Sequence, residues 1–264
     1  MSDRLRLRAT FDDIADIYDR VRPGYPAEII ADLAALAGIR DDARVLEIGC
    51  GTGQLTVPLL DLGATVTAVE LGPRLATLAA GKTGANGARA EVVVADFDAW
   101  AGPHEKFDVV VSATAFHWLD PETRLARIAE LLRPGGALAT IATYHVLGGT
   151  EEFFAQAQRD HYAHWFPTAV PYEKRPRAQD IGFDHDLERG GRFGPITFRR
   201  HTWDADYTTA DYLDLLRTYS ATLDLAPRTR HGFLHDMGTL IDTRFGGRIT
   251  KRYLTELRVA VCAK

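Results

Sequence analysis

The chain is expected to fold as a doubly wound α/β domain around a mostly parallel sheet. Three observations predict this. Short apolar runs alternate with helix-length segments over residues 41–147, a glycine-rich turn follows the first of those runs, and 46% of the 264 residues are hydrophobic. Strands that alternate with helices need crossover connections, which make neighbouring strands parallel and the crossovers right-handed. A chain of this length buries one sizeable core, so a single domain over 1–264 is expected, with its ligand crevice at the carboxyl ends of the central strands.

Residues 1–40 supply two helices between Phe11 and Ala37, interrupted at Pro23-Gly24-Tyr25-Pro26, where proline removes donors and restricts its neighbours. Over 41–147 the apolar runs Arg44 to Ile48, Thr65 to Glu70, Ala90 to Val94, Phe107 to Ala113 and Ala137 to Tyr144 read as five strands. Helices are expected from Gln54 to Leu62, Pro73 to Ala80 and Pro121 to Leu132. Residues 148–194 break the alternation and are rich in Gly, Pro, His and aromatics; they are expected to form a lid insertion. Residues 195–264 complete the sheet. A strand from Ile196 to Trp203 precedes a helix with Tyr212, Leu215, Leu216 and Tyr219 on one face, a second helix carries Phe233, Met237, Leu240 and Ile241, and Tyr253, Leu257, Val259 and Val261 alternate in a closing strand.

Net charge is −5, which argues against the basic surface that a nucleic-acid partner needs. Cys50 and Cys262 lack metal-knuckle or disulfide-scaffold spacing, and no apolar leader or run of ~20 apolar residues is present, so a cytoplasmic chain without a membrane partner is expected. Arg4, Arg6 and Arg8 alternate with leucines and read as a solvated terminus. His161/His164 and His231/His235 have metal-compatible spacings without companion carboxylates, so no metal is expected.

The strongest signal is Val45-Leu46-Glu47-Ile48-Gly49-Cys50-Gly51-Thr52-Gly53, where the first strand meets the next helix. Glycines there permit tight turning and close approach of backbone amides to a ligand, as they also do in dinucleotide enzymes. Glu47 precedes the first glycine by two residues, an anion badly placed for a pyrophosphate and well placed for a cationic cofactor. Glu70 ends the second strand, 17 residues past Gly53, where a carboxylate accepts both ribose hydroxyl hydrogens of either nucleotide cofactor.

LEIGCGTG, AVE, ADFDAW, FDVVVSATAFHW and LLRPGGALA, in that order over residues 43 to 144, resemble the motif series of class I S-adenosylmethionine-dependent methyltransferases. FDDIADIYDRVRPGYP and LIDTRFGGRITKRYLTEL are similar to the small-molecule branch that includes the type 11 and trans-aconitate methyltransferase-like proteins. The resemblance implies a Rossmann-like sheet of order 3-2-1-4-5-7-6 with strand 7 antiparallel, S-adenosylmethionine as cofactor, S-adenosylhomocysteine as product, and a small-molecule acceptor. It further implies Gly49, Gly51 and Gly53 under the methionine moiety, Glu47 near its amino end, Glu70 and Leu71 at the ribose, Asp96 and Phe97 at the adenine, Ala113 and Thr114 along the methionine, and Tyr18 and Arg22 closing over it and pairing its carboxylate.

The acceptor end is assigned from position. His117, after strand four, is the candidate base or acceptor-orienting group, with Tyr25, Trp118, Tyr144 and His145 as further pocket residues. Arg175, Arg177 and Arg192 are candidates to recognise a carboxylate or simply to stay solvated, and Cys50 is read as buried turn filling. The acceptor atom (O, N, S or C) and the choice between monomer and homodimer stay open. So do a protein that holds the cofactor as a scaffold or for other chemistry, a protein methyltransferase, and a nicotinamide-dependent oxidoreductase.

Overall fold

The computed structural model describes residues 11–84, 89–166 and 175–263; the arginine-rich run at 4–8 lies outside them. One seven-stranded sheet has the order β3-β2-β1-β4-β5-β7-β6. Its strands are β1 (Arg44–Ile48), β2 (Thr65–Glu70), β3 (Ala90–Val94), β4 (Phe107–Ala113), β5 (Leu132–Gly149), β6 (Thr197–Thr208) and β7 (Arg248–Val261). The first five pair in parallel, and β7 runs antiparallel to both neighbours, as expected.

The described α-helices of four residues or more are α1 (Ala15–Val21), α2 (Ala27–Ala37), α3 (Thr56–Asp61), α4 (Pro73–Thr83), α5 (Arg124–Leu131), α6 (Glu151–Ala157), α7 (Thr209–Arg217), α8 (Ser220–Leu223) and α9 (Pro227–Arg244). Both sheet faces are covered, which is why the central strands read as unbroken apolar runs. Ile29, Leu33 and Leu59 meet Val45, Val109 and Val111 on one face, while Ile128, Leu131 and Phe97 meet Phe107 and Val110 on the other. The chain reverses direction across the sheet between β1 and β4, so a crevice opens above their carboxyl ends.

Three expectations need correction. β5 continues past Tyr144 to Gly149, because its pairing with β7 satisfies backbone groups that apolar alternation alone does not reveal; β6 reaches Thr208 and β7 starts at Arg248 for the same reason. Tyr219 does not share the face of α7. The helix ends at Arg217, Thr218 Oγ1 donates back to Leu215 O at 2.7 Å, and Tyr219 is extended (φ −87°, ψ 134°), which points the chain in a new direction.

Residues 148–194 are the third. In α6, fully buried Phe153 packs edge-on to Tyr212 and Phe245, and Trp165 Nε1 donates to Asp236 Oδ2 at 2.9 Å. Residues 151–166 buttress α7 and α9 from behind, because their apolar side chains find partners there, whereas Leu187 and Phe193 join the core against β4, β5 and β7. No described helix is long and apolar enough to cross a membrane.

Candidate active site

A cavity of about 500 Å³ occupies the expected crevice. Its first end is built by the turn after β1. Gly49 (φ +72°) and Gly51 (φ +57°) both adopt left-handed backbone that L side chains rarely take. At Gly49 there is also no room: a Cβ would lie 2.5 Å from Ala115 Cβ, so the β1 turn and the turn after β4 approach as closely as a hydrogen atom allows.

Glu70 faces this turn from the end of β2. Its Oε2 accepts from Gly51 N and its Oε1 from Gly72 N, each at 2.9 Å, so one carboxylate fixes the glycine turn and the start of α4. Glu47 is 1% exposed and accepts from Thr56 Oγ1 at 2.6 Å. Burial pushes its carboxyl up to about 7, the Thr56 bond opposes, and the nearby Glu70 charge adds to the rise. Burial first, then Glu47 and Glu70, push the Cys50 thiol well up, so it is no nucleophile.

Two carboxylates at a glycine cradle make a poor seat for a pyrophosphate. They suit a ligand that offers hydroxyl or ammonium hydrogens. The one arginine or lysine along the described cavity wall is Arg22, at the end of α1. Its Nε and Nη2 donate to Thr218 Oγ1 and O at 2.9 and 2.7 Å, and the guanidinium lies 5.1 Å from the Tyr18 ring and 4.9 Å from that of Tyr219. The residues present therefore fit S-adenosylmethionine, with an acidic cradle at one end and a single cation beside it.

Beyond Arg22 the wall becomes aromatic. Thr114 follows β4 in the left-handed region (φ +53°), and its hydroxyl meets Tyr25 Oη at 3.3 Å. The next turn carries His117 beside Trp118, ring centres 4.9 Å apart, and Phe11 stands edge-on to both Tyr18 and Trp118, bridging the N-terminal segment to this turn. Burial, then the Arg124 charge, holds the His117 imidazole below its ordinary range, so it is neutral near pH 7 and able to accept a proton. At the far end, a row across three strands pairs His145 of β5 with Tyr253 of β7 and Tyr253 with Trp203 of β6. Trp203 stacks on Tyr253 at 4.7 Å and donates from Nε1 to Thr255 Oγ1 at 2.9 Å.

Most of the expected residues meet here. Tyr18, Arg22, Glu47, Gly49, Gly51, Glu70, Leu71, Phe97, Ala113 and Thr114 line the cavity, as do Tyr25, His117, Trp118 and His145. Gly53 does not: at φ +88° it packs beneath the cradle against Ala79 of α4. Asp96 is also outside the lining, half-buried between the lining residues Ala95 and Phe97, with Oδ1 accepting from Asp98 N at 3.2 Å. Tyr144 is on the opposite face from His145, since alternate residues of a strand point to opposite sides.

No described residue of 148–194 lines the cavity, whose outer wall comes instead from Leu215, Tyr219, Ser220 and Ala221. Arg175 is buried over the Phe154 ring and paired with Glu151 Oε2 at 3.1 Å, and Arg177 bonds through its backbone N to Asp180, so neither is a wall residue. Arg192 is exposed and outside the wall. Among the described residues no three His, Cys, Asp or Glu side chains converge on a metal position. Sequence reasoning missed Phe11, Trp203, Tyr219 and Tyr253 as wall residues; the two strand positions were recoverable from the expected sheet order combined with cross-strand register.

A family described as a methyltransferase domain matches residues 45–136. An uncharacterised methyltransferase of Mycobacterium tuberculosis is 34% identical over 141 residues, covering 52% of this chain and 54% of that protein, so the chain spans about half the length of the first curated relatives it matches. The ubiquinone biosynthesis O-methyltransferase of Cereibacter sphaeroides is 34% identical over 191 residues, 68% of this chain and 75% of that protein. Among solved structures, phosphoethanolamine N-methyltransferase 2 of Haemonchus contortus, in complex with S-adenosyl-L-methionine, matches with TM-score 0.54 at 17% identity over 96% of this chain and 57% of that one. That likeness speaks for the fold.

Proposed function

Because this chain belongs to the class I S-adenosylmethionine-dependent methyltransferases, we propose that it methylates a small molecule held at the aromatic end of its cavity. The observation that carries this reading is the continuity of one cavity from the acidic glycine cradle to the His145–Tyr253–Trp203 row. The bound cofactor supplies a methyl group on an already cationic sulfur, so the protein's task is alignment and exclusion of water.

Gly49 and Gly51 would let backbone amides approach the methionine moiety, Glu47 would take its ammonium, and Glu70 would add ribose hydroxyls to its two backbone bonds. Leu71 and Phe97 would bound the nucleoside. Asp96 keeps a proposed role at the adenine amino group only by sharing the carboxylate that now accepts from Asp98 N; a carboxylate has about four acceptor positions, so sharing is feasible. Phe11, across Tyr18 and Trp118, would shut out water.

His117 would orient the acceptor and take its proton where one must leave. His117→Ala is expected to lower kcat by about 10- to 100-fold without changing S-adenosylhomocysteine affinity. The wild-type rate should rise with pH through a point below the ordinary histidine range and then level; the variant should lack that limb. The test is release of S-adenosylhomocysteine across a panel of O-, N-, S- and C-acceptors. Cofactor binding with no release on any of them would contradict methyl transfer.

A further inference from the structure

Behind the aromatic end lies a charge that the mechanism above leaves unused. Lys251, on β7, is 3% exposed, and its Nζ donates to Tyr219 Oη at 2.7 Å. The ammonium sits among the rings of Tyr212, Tyr219 and Tyr253, between 5.0 and 6.0 Å from their centres. Among the described residues no carboxylate pairs with it. Its charged neighbours are Arg22 from α1 and Arg175, the latter already paired with Glu151, and the His145 ring packs against Tyr219 and Tyr253. A buried cation without a counter-ion is destabilising unless it sheds its proton or an anion arrives.

Tyr219 connects this lysine to the cavity it lines. A phenol hydroxyl has one donor and two acceptor positions. Lys251 Nζ fills one acceptor position and the Tyr253 hydroxyl is a second partner; with Tyr253 as the donor of that bond, the Tyr219 proton is left to be donated into the cavity. Tyr253 is itself held by Tyr207 Oη at 2.9 Å, which fixes the arrangement from behind.

We propose that Tyr219, charged from behind by Lys251, is an oxyanion-binding subsite, and that the acceptor molecule carries an acidic oxygen, a carboxylic acid or a phenol. This rests on the methyltransferase reading, in which Arg22 serves the cofactor carboxylate and Lys251 is the cation left for the acceptor. Burial, then Arg22 and Arg175, holds the Lys251 ammonium well below its ordinary range, which favours loss of its proton in the empty pocket and its return when an anion enters. A carboxylate enters as its anion while Lys251 Nζ takes up a proton from water; an un-ionised phenol instead passes its own O–H proton to Tyr219 Oη as the Tyr219 proton moves to Lys251 Nζ. In both cases an ammonium and an oxyanion remain, with one phenol hydrogen bond to the oxyanion. The subsite grips the acceptor and leaves His117 at the atom to be methylated.

The chain has five lysines (82, 106, 174, 251 and 264), so their side-chain methylene resonances can be followed individually by NMR, with Lys251→Met identifying the buried one. The probes are benzoate and 4-nitrophenol, added to protein saturated with S-adenosylhomocysteine; the first arm reports a carboxylate and the second a phenol. Lys251 is expected to titrate well below the other four and to move upward with at least one probe. Lys251→Met and Tyr219→Phe should each weaken that probe by about tenfold or more, as loss of a charge-assisted hydrogen bond does, while S-adenosylhomocysteine still binds. Lys251 titrating with the other lysines, no response to either probe, or equal probe affinity in both variants would overturn the subsite. Failure of S-adenosylhomocysteine to bind the wild type would instead overturn the methyltransferase reading.

Discussion

Gly49→Ala is expected to destabilise the protein by about 2–5 kcal/mol and to abolish measurable cofactor binding. The added Cβ meets Ala115 Cβ at 2.5 Å, and Ala115 belongs to the turn after β4 that carries Thr114 and His117, so relief requires the two strand-end turns to separate. Overpacking of this kind costs about 1–3 kcal/mol, and holding alanine at φ +72° adds about 1–2 kcal/mol. Gly51→Ala shares the backbone strain without the clash, its nearest neighbours lying at 3.5 and 3.7 Å, and should cost roughly 1–2 kcal/mol. Gly81→Ala, on α4 with open space around it, should be neutral or stabilising by up to about 1 kcal/mol. Denaturant unfolding of the three variants checks this order; a Gly49 variant no less stable than the Gly81 variant would refute the close approach.

Glu47→Gln should separate stability from binding. With its carboxyl pushed up to about 7 from an ordinary 4.5, Glu47 keeps its proton in the folded protein over a pH range where the unfolded chain has released it. That contribution to stability is fully present below pH 4.5 and is lost as pH rises through about 7. Above that point the ligand-free protein holds a buried carboxylate at a cost on the order of 3 kcal/mol, at about 1.4 kcal/mol per unit of pKa displacement. Glutamine removes the cost, so the variant should match wild type near pH 4.5 and exceed it at pH 8. It should nevertheless bind S-adenosylmethionine about tenfold or more weakly, having lost the anion that meets the ammonium. Unfolding curves at the two pH values and one titration decide the matter: an identical pH dependence in variant and wild type would show that Glu47 is ionised throughout.

The cradle was legible in the sequence because it is local. Glu47, Gly49 and Gly51 are contiguous with β1, and Glu70 is the last residue of the next strand, so strand ends alone bring them together. The aromatic end was legible only in part, for the opposite reason. His145, Tyr253 and Trp203 meet through the register of β5, β7 and β6, and a slip of one residue in that register moves every side chain to the other face; the neighbours Tyr144 and His145 were both assigned to the pocket, though only one of two adjacent strand residues faces it. Tyr219 was misread because helical spacing cannot say that Thr218 turns the chain away after Arg217. Lys251 escaped notice because an isolated lysine in a strand reads as solvated, and only the cage of rings around it reveals a buried charge.

Calorimetric titration with S-adenosylmethionine, S-adenosylhomocysteine and NADH, on wild type and Glu70→Ala, tests the cofactor site most directly. Micromolar binding of the first two, none of NADH, and marked weakening in the variant is the expected result. Binding of NADH alone, or S-adenosylmethionine affinity indifferent to Glu70, would contradict the account.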